Sequence, residues 1–184
     1  MQNISSHATA ARLSIAWIFM VLALLGLSAQ GKTPTATPGL TEETADLVIR
    51  GKVAGTPPLL FDLAAISALP ARSFTTIDPW DGKEHSFEGV LLSDLLAAVG
   101  IDPAATRITV LARNKYSIPI KRADYEHYAY ILAWKIDGHL FAADPSTKNR
   151  SVFSVAIDFA RNKDLDPILF KHQLVWQTKY ITVE

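Results

Sequence analysis

Few residues in this chain are of types that do chemistry, and their spacing excludes more than it suggests. The five histidines, at positions 7, 85, 127, 139 and 172, never fall at metal-ligand spacing. Aspartates and glutamates are scattered singly, without the alternating pattern of a calcium loop. There is no cysteine, so no thiolate is offered for nucleophilic, redox or soft-metal chemistry. A Gly-x-Ser-x-Gly elbow and a glycine-rich phosphate loop are both missing. No catalyst is visible by motif. What remains is a set of recognition residues: Trp80 and Asp81 in a Trp-Asp-Gly turn, Asn114 and Tyr116 in a polar break, Arg150, and Trp176 near the end of the chain. Aromatic rings supply flat faces, an asparagine amide donates and accepts together, and arginine stacks or hydrogen-bonds.

Each of these residues also has a purely structural reading. Trp80 either plugs the core beside a helix or plates a ligand, and Trp176 divides the same way. Trp134 lies in a dense apolar run and reads as core. Asn114 and Asp81 are both common turn formers, whereas binding groups usually sit in loops on a rigid sheet. His85 and Lys115 read as solvated.

The elements that must position these residues are organised around residues 80–100. Asp81-Gly82 is a turn signal. An extended apolar run follows, and then Leu91, Leu92, Leu95, Leu96 and Val99 recur at helical spacing, giving one apolar face to bury. Gly100 stands where a helix ends in a left-handed residue, and Pro103 prevents its resumption. The segment thus predicts a strand-to-helix corner with a tryptophan just before it. Before it, residues 47–53 read as a strand, residues 61–69 as a short helix and residues 72–77 as a strand. After it come strands at 107–112 and 117–120, the second confined to an edge or end by Pro119. A polar turn or short helix follows at 121–127. A buried strand at 128–136 then turns at Asp137-Gly138 into a hairpin return. Strands at 151–158 and 174–183 close the chain, separated by irregular structure. Many short strands, few helices and no strict alternation indicate an α+β domain with a mixed β-sheet.

The first thirty residues read as separate from this fold. Arg12 is the only charge before Lys32, and residues 13–27 form an apolar run. Fifteen residues are short for a membrane span and suit a secretory signal, with cleavage near Ala29. An uncleaved anchor is the competing reading. The expected division is a signal peptide at 1–29, a flexible Thr/Pro-rich leader at 30–45, and one domain at 46–184, exported to the periplasm or secreted. The 18 basic and 18 acidic residues balance, which argues against nucleic acid as a partner.

The order of pieces resembles a known family. Trp80-Asp81-Gly82, then Phe87-Glu88-Gly89-Val90-Leu91-Leu92 with Leu95-Leu96 and Gly100, is similar to the core of the sulfite-oxidase-type molybdopterin-binding domain. Residues 110–116 followed by Ile118-Pro119 resemble that family's strand, Asn-x-Tyr turn and second strand. Ile131-Leu132-Ala133 with Asp137-Gly138 matches its next hairpin, and Val175-Trp176 through Val183 its closing strand. The resemblance covers residues 47–184 and implies the sulfite-oxidase fold. It departs from the enzymes in two places. They hold molybdenum by a cysteine thiolate, which this chain lacks. Where they carry a Gly-x-Pro-x-Arg loop, this chain reads Thr147-Lys148-Asn149-Arg150, keeping only the arginine.

The chain therefore looks like a small cysteine-free branch of the fold, some members of which are pterin-binding receptors working beside a membrane-bound partner that controls cyclic-di-GMP. The resemblance implies a non-catalytic pterin-binding domain with no tightly held cofactor. Its ligand contacts would be Trp80, Asp81, Asn114, Tyr116, Arg150 and Trp176. The alternative is a molybdopterin-dependent oxidoreductase with atypical metal ligation, working with a redox subunit.

Overall fold

Short strands dominate the structure, a computed structural model that describes residues 33–143 and 152–184. The described residues all belong to the unit Gly31–Glu184. Residues 1–29, read above as a signal peptide, and Arg150 lie outside them. In chain order the elements are β1 (Leu47–Gly51), β2 (Leu59–Phe61), α1 (Leu63–Ser67), β3 (Arg72–Ile77), β4 (Glu84–Leu91), α2 (Leu92–Ala98), β5 (Arg107–Ala112), β6 (Ser117–Lys121) and α3 (Arg122–His127). They continue as β7 (Tyr130–Ile136), β8 (His139–Leu140), β9 (Ser154–Ile157), α4 (Pro167–Phe170) and β10 (Thr178–Val183). The α+β architecture is as the patterning predicts, with two sheets in place of one.

Two sheets form. The first runs β2-β1-β10-β5-β6, with β1 and β10 parallel and the other neighbours antiparallel. The chain's first and last strands are thus hydrogen-bonded side by side, and the Pro119 strand takes an edge, where its missing N–H does least harm. The second sheet is antiparallel, β3-β4-β7, with β8 and β9 sharing the far side of β7. A bridge from Phe153 to Thr178 ties it to the first. The Phe159 N–H also donates to Thr76 Oγ1 at 3.1 Å, although β3 and β9 are separated by two strands. The second sheet must therefore curl.

Alternation along these strands sorts side chains onto two faces. Val90, Leu132, Trp134, Val155 and Ile157 join Leu47, Ile49, Ile108, Val110 and Ile181 in the main core. Phe87, Ile131, Ala133 and Ala156 form a smaller cluster on the opposite face, with Phe74 and Leu91 packed against it. The helix α2 buries Leu92, Leu95 and Leu96. It ends as expected. Gly100 has φ +70°, its N–H reaches the Ala97 carbonyl, and the Ile101 N–H reaches that of Leu96, the double bond of a left-handed helix stop. A bulge at Glu88/Gly89 interrupts the β4–β7 ladder, and Gly89 is needed there because a Cβ would stand 2.3 Å from the Leu132 carbonyl oxygen.

Several expectations shift. Phe61 ends the short strand β2 instead of opening a helix, because Asp62 takes the cap, its Oδ1 accepting the Ala65 N–H at 2.8 Å. The last strand begins at Thr178, since Gln177 sits at φ +60° and breaks extension. Residues 33–44 have no helix or strand, yet Thr37 donates to the Leu60 carbonyl at 2.8 Å and Pro34 is buried. Lys179 lies in a second bulge, between Thr178 and Tyr180, and is buried. Its Nζ donates to the backbone carbonyls of Ala45 and Glu43, and burial pushes its pKa down.

Candidate functional site

Three segments distant in sequence meet at one end of the domain. The first is the tip joining β3 to β4, residues 78–83. Asp78 closes it by accepting the Trp80 N–H at 2.8 Å, and the Asp78 N–H donates to the Lys83 carbonyl. The second is the β5–β6 turn, residues 113–116. There Lys115 adopts φ +71° and Asn114 Oδ1 accepts the Tyr116 N–H at 3.0 Å. The third is the stretch from Lys171 to Gln177, which leads into β10.

Direct contacts join the three. The Lys171 ammonium lies 5.3 Å over the Trp80 ring. Tyr116 donates its hydroxyl to the His172 carbonyl at 2.7 Å, and the Arg113 N–H donates to the Gln177 carbonyl at 2.9 Å. The Trp176 ring meets Phe141 edge-on at 6.1 Å. Behind them opens a cleft walled by Asp78, Phe87, Ser154, Phe159, Leu174 and Trp176, among others, enclosing about 260 Å³ with its mouth. Its deep interior is only about 10 Å³, room for about one water.

The sequence-derived candidates divide. Trp80, Tyr116 and Trp176 come to this end and stay partly open, at 54%, 40% and 38% exposure. Trp80 therefore does not plug the core and stands at the hairpin tip, a strand's length before the strand-to-helix corner. Among the described candidates only Trp176 is a cleft wall. The Asn114 side-chain oxygen serves its own turn. Asp81 is turned away, one oxygen accepting the Lys83 N–H and the other meeting His85 Nε2 at 2.9 Å. Trp134 is core, its indole N–H on Glu88 Oε1.

Patterning missed two groups here. Asp78 is the carboxylate in the cleft wall, 4% exposed. Desolvation pushes its pKa up and outweighs the lowering effect of the Trp80 N–H. Its only sequence mark is its place in the turn, which says nothing of burial. His85 is not solvated but bracketed, with Nδ1 2.7 Å from Asp137 Oδ2 and Nε2 on Asp81. Those carboxylates raise its pKa, Asp81 first, and each is lowered chiefly by the histidine. The Asp81–His85 spacing of four was legible. Asp137, 52 positions away, was not.

No family model and no curated protein matches the chain. Among solved structures it is similar to a chain of the sulfane dehydrogenase SoxCD from Paracoccus pantotrophus, with a TM-score of 0.55 at 13% identity. The match covers 78% of this chain and 39% of that one, so this chain spans about two fifths of its length. At that identity the likeness concerns the fold alone. It supports the coarse part of the family resemblance, a distant sulfite-oxidase-like fold.

Proposed function

We propose that the domain is an exported, non-catalytic binding module. Its cleft takes a pterin, and it reports ligand occupancy to a membrane-bound signalling partner of the cyclic-di-GMP-controlling kind. One observation carries the reading: a buried carboxylate, Asp78, stands among the aromatic walls Phe87, Phe159 and Trp176, with Trp80 and Tyr116 nearby. A pterin is a flat bicycle whose amino group and neighbouring ring N–H lie side by side. A carboxylate accepts both, and aromatic faces stack on the rings.

Admission requires the cleft to open, since its present interior holds about one water. The contacts joining the segments beside it are weak. The Lys171–Trp80 contact is worth about 0.5–1 kcal/mol at an exposed site, and the Tyr116–His172 hydrogen bond about 0.5–1.5 kcal/mol. Trp80 and Lys171 thus form a latch that stacking against a flat ligand can displace, and this movement is the signal a partner would read.

The residues do not fit a thiolate-held molybdenum. The chain has no cysteine, and among the described residues no three of His, Cys, Asp and Glu gather to hold a metal. A second reading, a molybdopterin-dependent oxidoreductase with a ligand supplied by another subunit, draws on the likeness to a dehydrogenase chain. One experiment separates the two: mass spectrometry of whatever the purified protein releases, with molybdenum quantified in the same sample, and a titration of apo-protein with pterin followed by quenching of pterin fluorescence. Saturable binding of metal-free pterin is expected. Stoichiometric molybdenum supports the oxidoreductase, and no quenching at millimolar pterin overturns the binding module.

A further inference from the structure

A roomier pocket than the aromatic cleft borders the second sheet. It lies toward the start of β3, around Arg72 and Phe74, with Arg72 about 13 Å along the strand from Thr76. This cavity holds about 450 Å³, within the range of small-molecule sites. Its floor is apolar, made by Phe74, Leu91 and Ile131 from the smaller hydrophobic cluster. Tyr128 and Ala129, just after α3, form one wall.

Two guanidiniums and two carboxylates line it. Arg72 enters from β3 and Arg161 from the turn after β9, and among the described residues neither guanidinium makes an ion pair or side-chain hydrogen bond. Two carboxylates also reach the cavity. Glu126 is already held by Arg122 at 2.6 Å, and one oxygen of Asp158 accepts the Arg161 N–H at 2.9 Å. His127 completes the titratable lining. Two unpaired guanidiniums on one apolar-floored cavity match an oxyanion attached to an apolar body, because arginine presents a fork of donors that carboxylate and phosphate accept in pairs.

We propose that this cavity is a second binding site, for a small molecule with a compact aromatic or apolar body and one carboxylate or phosphate, gripped by Arg72 and Arg161 over the Phe74 floor. It does not depend on the pterin reading, and its lining is distinct from the aromatic cleft.

The probes are 4-fluorophenyl phosphate, 4-fluorobenzoate and, as a cationic control, 4-fluorobenzylamine, each followed by ¹⁹F line broadening on the full-length protein. At least one anion is expected to bind saturably, with the tighter of the two naming the headgroup, while the amine does not bind. Arg72→Gln and Arg161→Gln each weaken the anion about tenfold, and added salt weakens it further. Both side chains are exposed and unpaired, so the double variant should melt with the wild type. Trp80→Ala should leave the anion's affinity unchanged. The proposal is overturned by no broadening from either anion at millimolar concentration. Undiminished binding to the double variant, or a loss in Trp80→Ala that would move the anion to the aromatic cleft, overturns it equally.

Discussion

The substitution Asp78→Asn changes one atom of the aromatic cleft and leaves its scaffold in place. Asp78 Oδ1 accepts the Trp80 N–H at 2.8 Å, and asparagine keeps that bond through its own oxygen, so the hairpin tip holds its turn. The other oxygen becomes an NH₂ donor. A pterin presenting two adjacent N–H groups then meets one acceptor and one donor. Losing one charge-assisted hydrogen bond costs about 1.5–3 kcal/mol, which at about 1.4 kcal/mol per decade is a Kd roughly 10- to 150-fold weaker. Stability moves the other way. Desolvation raises the Asp78 pKa above the ordinary carboxylate value, so the folded state binds its proton more tightly than the unfolded chain. Ionisation therefore subtracts stability as pH rises above about 3.9. Asparagine removes that loss, and D78N should be at least as stable as the wild type at neutral pH, the difference vanishing below the ordinary carboxylate range. Pterin quenching and urea melts at acid and neutral pH read both effects. A folded D78N that binds pterin within about twofold of wild type refutes the role given to Asp78. One that is less stable at neutral pH refutes the desolvation argument.

Three further outcomes follow from the same geometry. His85→Gln should destabilise most between about pH 4 and 6.5. The raised histidine contributes fully below its ordinary pKa and loses its contribution as pH rises through the folded value. The lowered Asp81 and Asp137 lose theirs as pH falls. A wild-type-to-variant gap in melting temperature that stays flat from acid to alkaline pH would contradict this. Gly89→Ala puts a Cβ 2.3 Å from the Leu132 oxygen and 2.5 Å from Ala133 Cα, both backbone atoms. Overpacking of about 1–3 kcal/mol should lower Tm by roughly 2–12 °C for a domain of this size, and an unshifted calorimetric melt would show that the strands part freely. Tyr116→Phe removes the 2.7 Å bond to the His172 carbonyl. It should speed amide exchange across residues 171–173 while costing at most about 1.5 kcal/mol of global stability; unchanged exchange would mean that the tyrosine does not hold that segment.

The sequence by itself determined features whose causes are local. Alternation placed β9, because successive side chains point to opposite faces whatever the strand pairs with, and β-branched runs placed β3 and β5. The Gly100 stop and the Asp137-Gly138 turn were legible because glycine tolerates positive φ wherever it stands. The edge position of the Pro119 strand was legible from a missing donor. That Trp80 and Tyr116 lie in connecting turns was legible too, and both stay partly open. Tertiary structure alone decided which carboxylate faces the cleft. Asp78 and Asp81 sit three residues apart in one turn, and nothing local distinguishes them. Asp81 is drawn off by His85 beside Asp137, while Asp78 is buried against strands and loops from the far half of the chain. The parallel pairing of β1 with β10 is of the same kind. Backbone preference is fixed by a residue and its immediate neighbours, but burial and side-chain partnership depend on which distant strands are brought alongside, and those contacts exist only once the chain has closed on itself.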